Sequence, residues 1–265
     1  MISPRLKALL ERVGLLRPTF VLLSRFRAVR LAASASPLPQ EFDDGLPVPP
    51  ANLLIGIGGA TTPAAYLHGG VVVATAIRKV LEDHGVSVAE AGAVLDFGCG
   101  CGRVLRRLRD LTPAVELHGT DYEPAPIEWC RQQLPFASFA INQLAPPLRY
   151  PDATFGIAYS FSVFTHLPHD LQAAWSAELR RVVKSGGHAV ITLHSDGESG
   201  ALGADERRRF DAGVLVVRYG SVPGSNLCAV FHPVAYIERS LAQGWELLEI
   251  RASDAGQTLV LLRKP

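Results

Sequence analysis

The run Asp96-Phe-Gly98-Cys-Gly100-Cys-Gly102-Arg103 sets a carboxylate two positions ahead of three glycines at alternate positions. Glycines spaced this way let the backbone turn tightly and approach a ligand, because no Cβ intervenes. The residues just before the turn, Val94 to Phe97, read as a short buried strand. Those just after it, Val104, Leu105, Leu108 and Leu111 among Arg106, Arg107, Arg109 and Asp110, have helical spacing. Strand, glycine turn and helix in that order describe a small-molecule site at the carboxyl edge of a parallel sheet. A second carboxylate, Asp121, follows about 20 residues on, where an acid suits ribose hydroxyls. A dinucleotide fingerprint would put its third glycine at position 103, which is Arg103 here. Acids closing two successive strands point instead to a nucleoside read by carboxylates.

The elements that must position these groups alternate along the chain. Strands are expected at Val94–Phe97, within Ala114–Asp121, at Phe139–Asn142, Phe155–Ser160 and His188–Leu193, with helices at Pro124–Gln133 and His169–Lys184 between them. Such alternation argues an α/β fold with a parallel sheet. An irregular stretch is expected from about Asp196 to His232. A helix at Val234–Leu241 and strands at Glu246–Ile250 and Thr258–Leu262 follow, the last two close enough to form an antiparallel hairpin. Upstream, Thr62-Pro63 marks a helix start, and a second helix is expected from Val71 to Asp83.

Composition bounds the rest. A chain of 265 residues with 48% hydrophobic and 19% charged residues suits a globular enzyme with a sizeable core. A net charge of +1 gives no overall bias toward nucleic acid, and the Arg207-Arg-Arg209 run follows Asp205 and Glu206 too closely to change that. Cys99, Cys101, Cys130 and Cys228 form no disulfide framework or zinc-like spacing, so no metal is expected and a reducing, cytoplasmic setting is. No uninterrupted apolar run is long enough to predict a transmembrane helix.

Residues 1–50 form a basic helical extension and Pro-rich connector ahead of a main domain at 51–265. The extension carries seven Arg and Lys between Arg5 and Arg30 against Glu11 alone, with Leu6, Leu9, Leu10, Val13 and Leu16 on one helical face. The expectation is a helix packed on the domain with its charged face in water; the alternative is peripheral contact with a membrane surface or a partner.

The motifs together resemble the class I S-adenosylmethionine-dependent methyltransferases. The matching residues are Val94–Gly102, His118-Gly-Thr-Asp121, Leu148–Ser160, Ser162-Val-Phe-Thr-His-Leu167 and Glu178–Gly187. The resemblance implies a Rossmann-like, seven-stranded, mostly parallel sheet with one antiparallel strand, and S-adenosylmethionine as cofactor. It implies that Asp96, Gly98 and Gly100, with Cys99 between them, line the methionine part. Asp121 would bind the ribose hydroxyls, Tyr122 would pack on the adenine, Asn142 with Gln143 would touch its edge, and Ser160 to Ser162 would close the site beneath the methyl group. The family often has an acid where Gly156 stands.

His166, in the loop after the fourth parallel strand, is the first candidate for a general base; His194 and His232 are secondary ones. The segment 196–232, with Tyr219, Asn226 and His232, and Leu53–Tyr66 are expected to cap the acceptor. A small molecule or glycan hydroxyl is the leading acceptor, with a protein substrate or a non-catalytic cofactor-binding module as alternatives.

Overall fold

The computed structural model describes residues 4–32, 42–56 and 62–265. Parts of the Pro-rich connector (33–41) and of the expected cap (57–61) lie outside the described residues. Seven strands build one sheet: β1 (Ala93–Phe97), β2 (Glu116–Asp121), β3 (Ser138–Ile141), β4 (Phe155–Ser160), β5 (Val183–Leu193), β8 (Glu246–Ala252) and β9 (Thr258–Arg263). A separate ribbon pairs β6 (Val216–Arg218) with β7 (Ala229–Phe231). The spatial order of the sheet is β3-β2-β1-β4-β5-β9-β8. All pairings among the first five strands are parallel, and β9 runs antiparallel to both β5 and β8. The expected seven-stranded sheet and terminal hairpin are both present.

The sequence of β1 explains its central place. All five of its residues are buried, as a strand covered on both faces requires. Val94 joins one apolar core with Leu117, Ile157 and Tyr159, while Leu95 and Phe97 join another with Trp175, Leu179 and Ile191. The period of two along the strand thus divides the interior into two layers. Helix α4 (Pro63–Glu82) and α5 (Pro124–Gln133) contribute to the first layer, and α6 (His169–Val182) and α8 (Val234–Tyr236) to the second.

Several local expectations change. Residues 63–82 form one continuous helix instead of an early start followed by a second helix at Val71. Thr62 caps it, its hydroxyl accepting the Ala65 N–H at 3.1 Å. The helix runs through Gly69 and Gly70, and the Arg103 backbone crosses Gly70 so closely that a Cβ there would lie 2.4 Å from the Arg103 carbonyl oxygen. By length and composition alone α4 could cross a membrane, but Tyr66, Leu67, Val73, Ile77, Val80 and Leu81 pack into the core. The helical spacing after the glycine turn is realised as a 3-10 helix at Leu105–Leu111. The stretch expected to be irregular holds a 3-10 turn at Asp196–Ala201, helix α7 (Ala204–Asp211) and the β6–β7 ribbon.

Gly156, where the family often has an acid, faces Ala91 so closely that a Cβ would lie 2.2 Å from its carbonyl oxygen. Backbone contact leaves no room for any side chain at that position.

The N-terminal segment forms α1 (Pro4–Arg12) and α2 (Leu16–Ala32), and α2 contacts the short α3 (Ala51–Leu54). Leu16 is buried, but Leu6, Leu9 and Val13 of the apolar face are exposed. The expected packing of that face on the domain is therefore corrected: α1 turns it outward.

Candidate functional site

The parallel strands β1 to β4 end along one edge, and the strand order reverses between β1 and β4. Ligands of doubly wound sheets gather at such a switch point. A cavity of about 490 Å³ opens there.

The glycine turn forms its floor. It is hooked onto the end of β2 by Gly98 N–H and Cys99 N–H, both donated to the Thr120 carbonyl, at 2.7 and 2.9 Å. Gly98 has φ +78°, and a Cβ would lie 2.1 Å from Val163 Cγ2, so both conformation and contact require glycine. Asp121 completes the hook: its Oδ2 accepts the Gly100 N–H at 2.8 Å and its Oδ1 accepts the Glu123 N–H at 2.9 Å. Burial raises the Asp121 carboxyl above its ordinary value, against those backbone bonds.

Asp96 is buried at the end of β1 and pushed up to about 7, first by burial and further by the charge of Asp121. The Tyr159 hydroxyl and the charge of Arg103 pull the other way. The Tyr159 hydroxyl lies on this side of the sheet without closing a hydrogen bond within 3.5 Å.

The remaining walls come from the neighbouring loops. The Tyr122 hydroxyl donates to the Gly224 carbonyl at 3.2 Å. Asn142 donates its amide to the Gln143 carbonyl at 2.7 Å and keeps a buried Oδ1 without a partner. Trp175 donates its indole N–H to the Leu144 carbonyl at 2.9 Å, fixing that loop. Leu148–Asp152, before β4, is pinned by Arg181, which donates to the Tyr150 carbonyl, Asp152 and Glu178 at 2.6–2.9 Å.

His166 lines the cavity from the loop after β4. Its Nδ1 stands 2.6 Å from the Cys228 carbonyl oxygen. A carbonyl only accepts, so Nδ1 carries the proton and Nε2 is left as the basic nitrogen. Burial lowers the imidazole below its ordinary value, with the Cys228 carbonyl opposing and His194 reinforcing. The ring is thus held neutral in one tautomer.

Asp96, Gly98, Cys99, Gly100, Asp121, Tyr122, Asn142, Gln143, Ser162 and His166 all line this cavity. Ser160 does not; it is buried in β4 with an unpartnered Oγ, and Phe161, Ser162 and Val163 stand at the cavity instead. Ser162 adopts φ +59°, with its N–H donated to Thr192 Oγ1 at 2.8 Å and its hydroxyl accepting from Gln257 at 2.9 Å. His194 and His232 lie outside the cavity. His232 is fully buried and burial lowers it to about 3. Of the expected cap, Leu53, Ile55, Gly56 and Gly224–Asn226 reach the cavity, joined by the Asn226 amide donated to the Gly56 carbonyl at 2.8 Å; Tyr219 and His232 do not. Among the described residues, no group of His, Cys, Asp and Glu could hold a metal ion.

Sequence reasoning missed three contributors. Arg103, noticed only as a missing glycine, lines the cavity with its guanidinium 5.3 Å from the Phe161 ring centre. Its place directly after the glycine turn was the available signal. Trp175 enters from α6, where helical spacing marks it simply as core. Phe20, Val21 and Ser24 of α2 form another part of the wall, and nothing in their spacing connects them to the glycine turn or the strand-end acids.

Comparison with known proteins agrees with this geometry. Residues 94–187 match the family described as Methyltransferase domain. Demethylmenaquinone methyltransferase of Deinococcus radiodurans is 30% identical over 139 residues, covering 50% of this chain and 55% of its own length. The chain thus spans about half the length of that curated relative. Among solved structures, the 1,6-didemethyltoxoflavin-N1-methyltransferase of Burkholderia thailandensis, with 1,6-didemethyltoxoflavin and S-adenosylhomocysteine bound, superposes with a TM-score of 0.52 at 15% identity, covering 74% of this chain and 78% of its own. The glycopeptide N-methyltransferase MtfA superposes with a TM-score of 0.53 at 16% identity, covering 77% and 100%. Sheet order, glycine turn and strand-end acids agree with the match over 94–187, so those residues carry a class I S-adenosylmethionine-dependent methyltransferase domain.

Proposed function

We propose that the protein transfers a methyl group from S-adenosylmethionine to a hydroxyl of a small molecule or glycan held in the cavity at the ends of β1 to β4. The observation that carries this reading is the convergence of Asp96, the Gly98–Gly100 turn, Asp121, Tyr122, Asn142 and His166 on one cavity. These residues fit the donor by their own chemistry. The turn offers backbone without a Cβ at Gly98, and Asp121 spends one hydrogen bond on each oxygen, leaving lone pairs for ribose hydroxyls. The orphaned Asn142 Oδ1 is an acceptor suited to an exocyclic amine of the base.

When bound, the sulfonium supplies the activated methyl group, so the chain contributes position, exclusion of water and a place for the acceptor's proton. Asp96, Gly98 and Gly100 would hold the amino-acid end of the donor, and Asp121, Tyr122 and Asn142 would fix its nucleoside end. Phe161, Trp175 and Leu144 keep the interior apolar. His166 Nε2, left unprotonated because Nδ1–H is donated to the Cys228 carbonyl and burial disfavours the charged ring, takes the hydroxyl proton as the new bond forms. A hydroxyl of high pKa needs such a base, which is why a hydroxyl acceptor is favoured.

Calorimetry on the full chain tests the reading. S-adenosylhomocysteine is expected to bind in the micromolar range while NAD gives no heat; binding of NAD alone would overturn it.

A further inference from the structure

We propose that the outer face of α1 and α2 docks the protein on an anionic lipid bilayer. Eight of the nine large apolar side chains that stand exposed among the described residues fall between residues 6 and 26. Leu9 and Val13 are 56% and 57% exposed, and Leu22 and Phe26 are 55% and 64%. Soluble surfaces seldom gather apolar side chains in this way without a surface to cover them.

Charge identifies the covering surface. Between Pro4 and Ala32 the sequence holds seven Arg and Lys and one acid, Glu11, whose carboxylate already accepts the Ser221 hydroxyl at 2.7 Å. The Arg12 side chain is exposed, and that of Arg17 is 67% exposed despite standing 4.0 Å from Glu123. Apolar side chains interleaved with cations on paired helices match an interface of anionic headgroups over acyl chains. A second copy of the chain fits poorly, since joining two segments that each hold seven Arg and Lys against one acid would bring like charge together. A peptide would want a groove, and none of Leu9, Val13, Leu22 or Phe26 lines the cavity at the strand ends.

The position of the face has a consequence for the cavity. Val21 lines the cavity and is itself 44% exposed, so α2 forms part of the rim. Docking through α1 and α2 sets that rim at the headgroup layer. Taken with the methyl-transfer reading, on which this step alone rests, it gives an amphiphilic acceptor whose head enters the cavity while its tail stays in the lipid.

Vesicle co-sedimentation of the full chain is the test. Wild type is expected to sediment with phosphatidylglycerol-containing vesicles and far less with pure phosphatidylcholine, the difference shrinking in high salt. The variant Leu9→Ser/Val13→Ser/Leu22→Ser/Phe26→Ser is expected to lose about tenfold or more of that partitioning. Its S-adenosylhomocysteine binding, read by calorimetry, should match wild type. Should that variant fail to fold, Arg12→Glu/Arg17→Glu carries the same expectation for anionic vesicles. Wild type left in the supernatant, a folded variant that sediments equally, or a dimer in light scattering that the variant converts to monomer would each overturn the proposal. Vesicle binding without S-adenosylhomocysteine binding would sink the methyl-transfer reading and leave the docking standing.

Discussion

Asp96 shows how a ligand site trades stability for affinity. Its carboxyl is buried beside a second acid and lifted to about 7. A raised carboxyl contributes stability below its unfolded value of about 4 and loses it as pH rises toward 7. Asp96→Asn should therefore raise the melting temperature at pH 7.5 by about 2–8 °C, equivalent to about 1–2 kcal/mol, while weakening S-adenosylhomocysteine binding at least tenfold. A melt that falls, or unchanged affinity, would contradict the account of this residue. His166 makes the complementary prediction. Because burial lowers its value, kcat/KM should rise with pH through an ionisation below the ordinary histidine value of about 6.5. His166→Ala should lower kcat by about 10²–10⁴-fold and remove that limb, with KM for the donor nearly unchanged.

Among the elements, Asp44 ties the strap at residues 42–50 to the 3-10 helix at Leu105–Leu111 through ion pairs with Arg106 and, at 3.2 Å, Arg107. Arg106 is fully buried and donates to both Asp44 oxygens at 2.6 and 2.5 Å, and to the Leu46 and Pro47 carbonyls at 2.9 and 3.1 Å. Burial raises the Asp44 carboxyl, but the Arg106 bond and charge outweigh it and leave the carboxyl below its ordinary value. That lowered value contributes stability at neutral pH, lost as pH falls through it. Asp44→Ala strands a buried guanidinium and should cost about 3–5 kcal/mol in denaturant unfolding; a loss under 1 kcal/mol would show that the strap is held otherwise. Gly98→Ala acts on the turn itself. The positive φ and the Val163 contact predict a folded protein with greatly weakened donor binding.

At the scale of the molecule, the sheet was legible because β1, β4 and β5 carry dense apolar runs between turn residues, and the donor site because its acids and glycines sit at strand ends. Helix α7 escaped notice since six of the eight residues in Ala-Asp-Glu-Arg-Arg-Arg-Phe-Asp are charged and only Phe210 is buried. The three-residue strands of the β6–β7 ribbon are too short to show a period. The part α2 plays at the cavity was hidden because Phe20, Val21 and Ser24 come to the same cavity as Asp96 and Asp121 only in the folded chain. Ser160 was displaced from the expected site by a matter of register: Phe161 to Val163 turn into the cavity while Ser160 stays in the strand.

A crystal structure of the full chain with S-adenosylhomocysteine tests the central claim most directly. The account predicts the ribose hydroxyls on the Asp121 carboxylate, the adenine beside Tyr122 and Asn142, and the sulfur facing the side of the cavity that holds His166. Density for the ligand outside this cavity, or a ribose held away from Asp121, would contradict it.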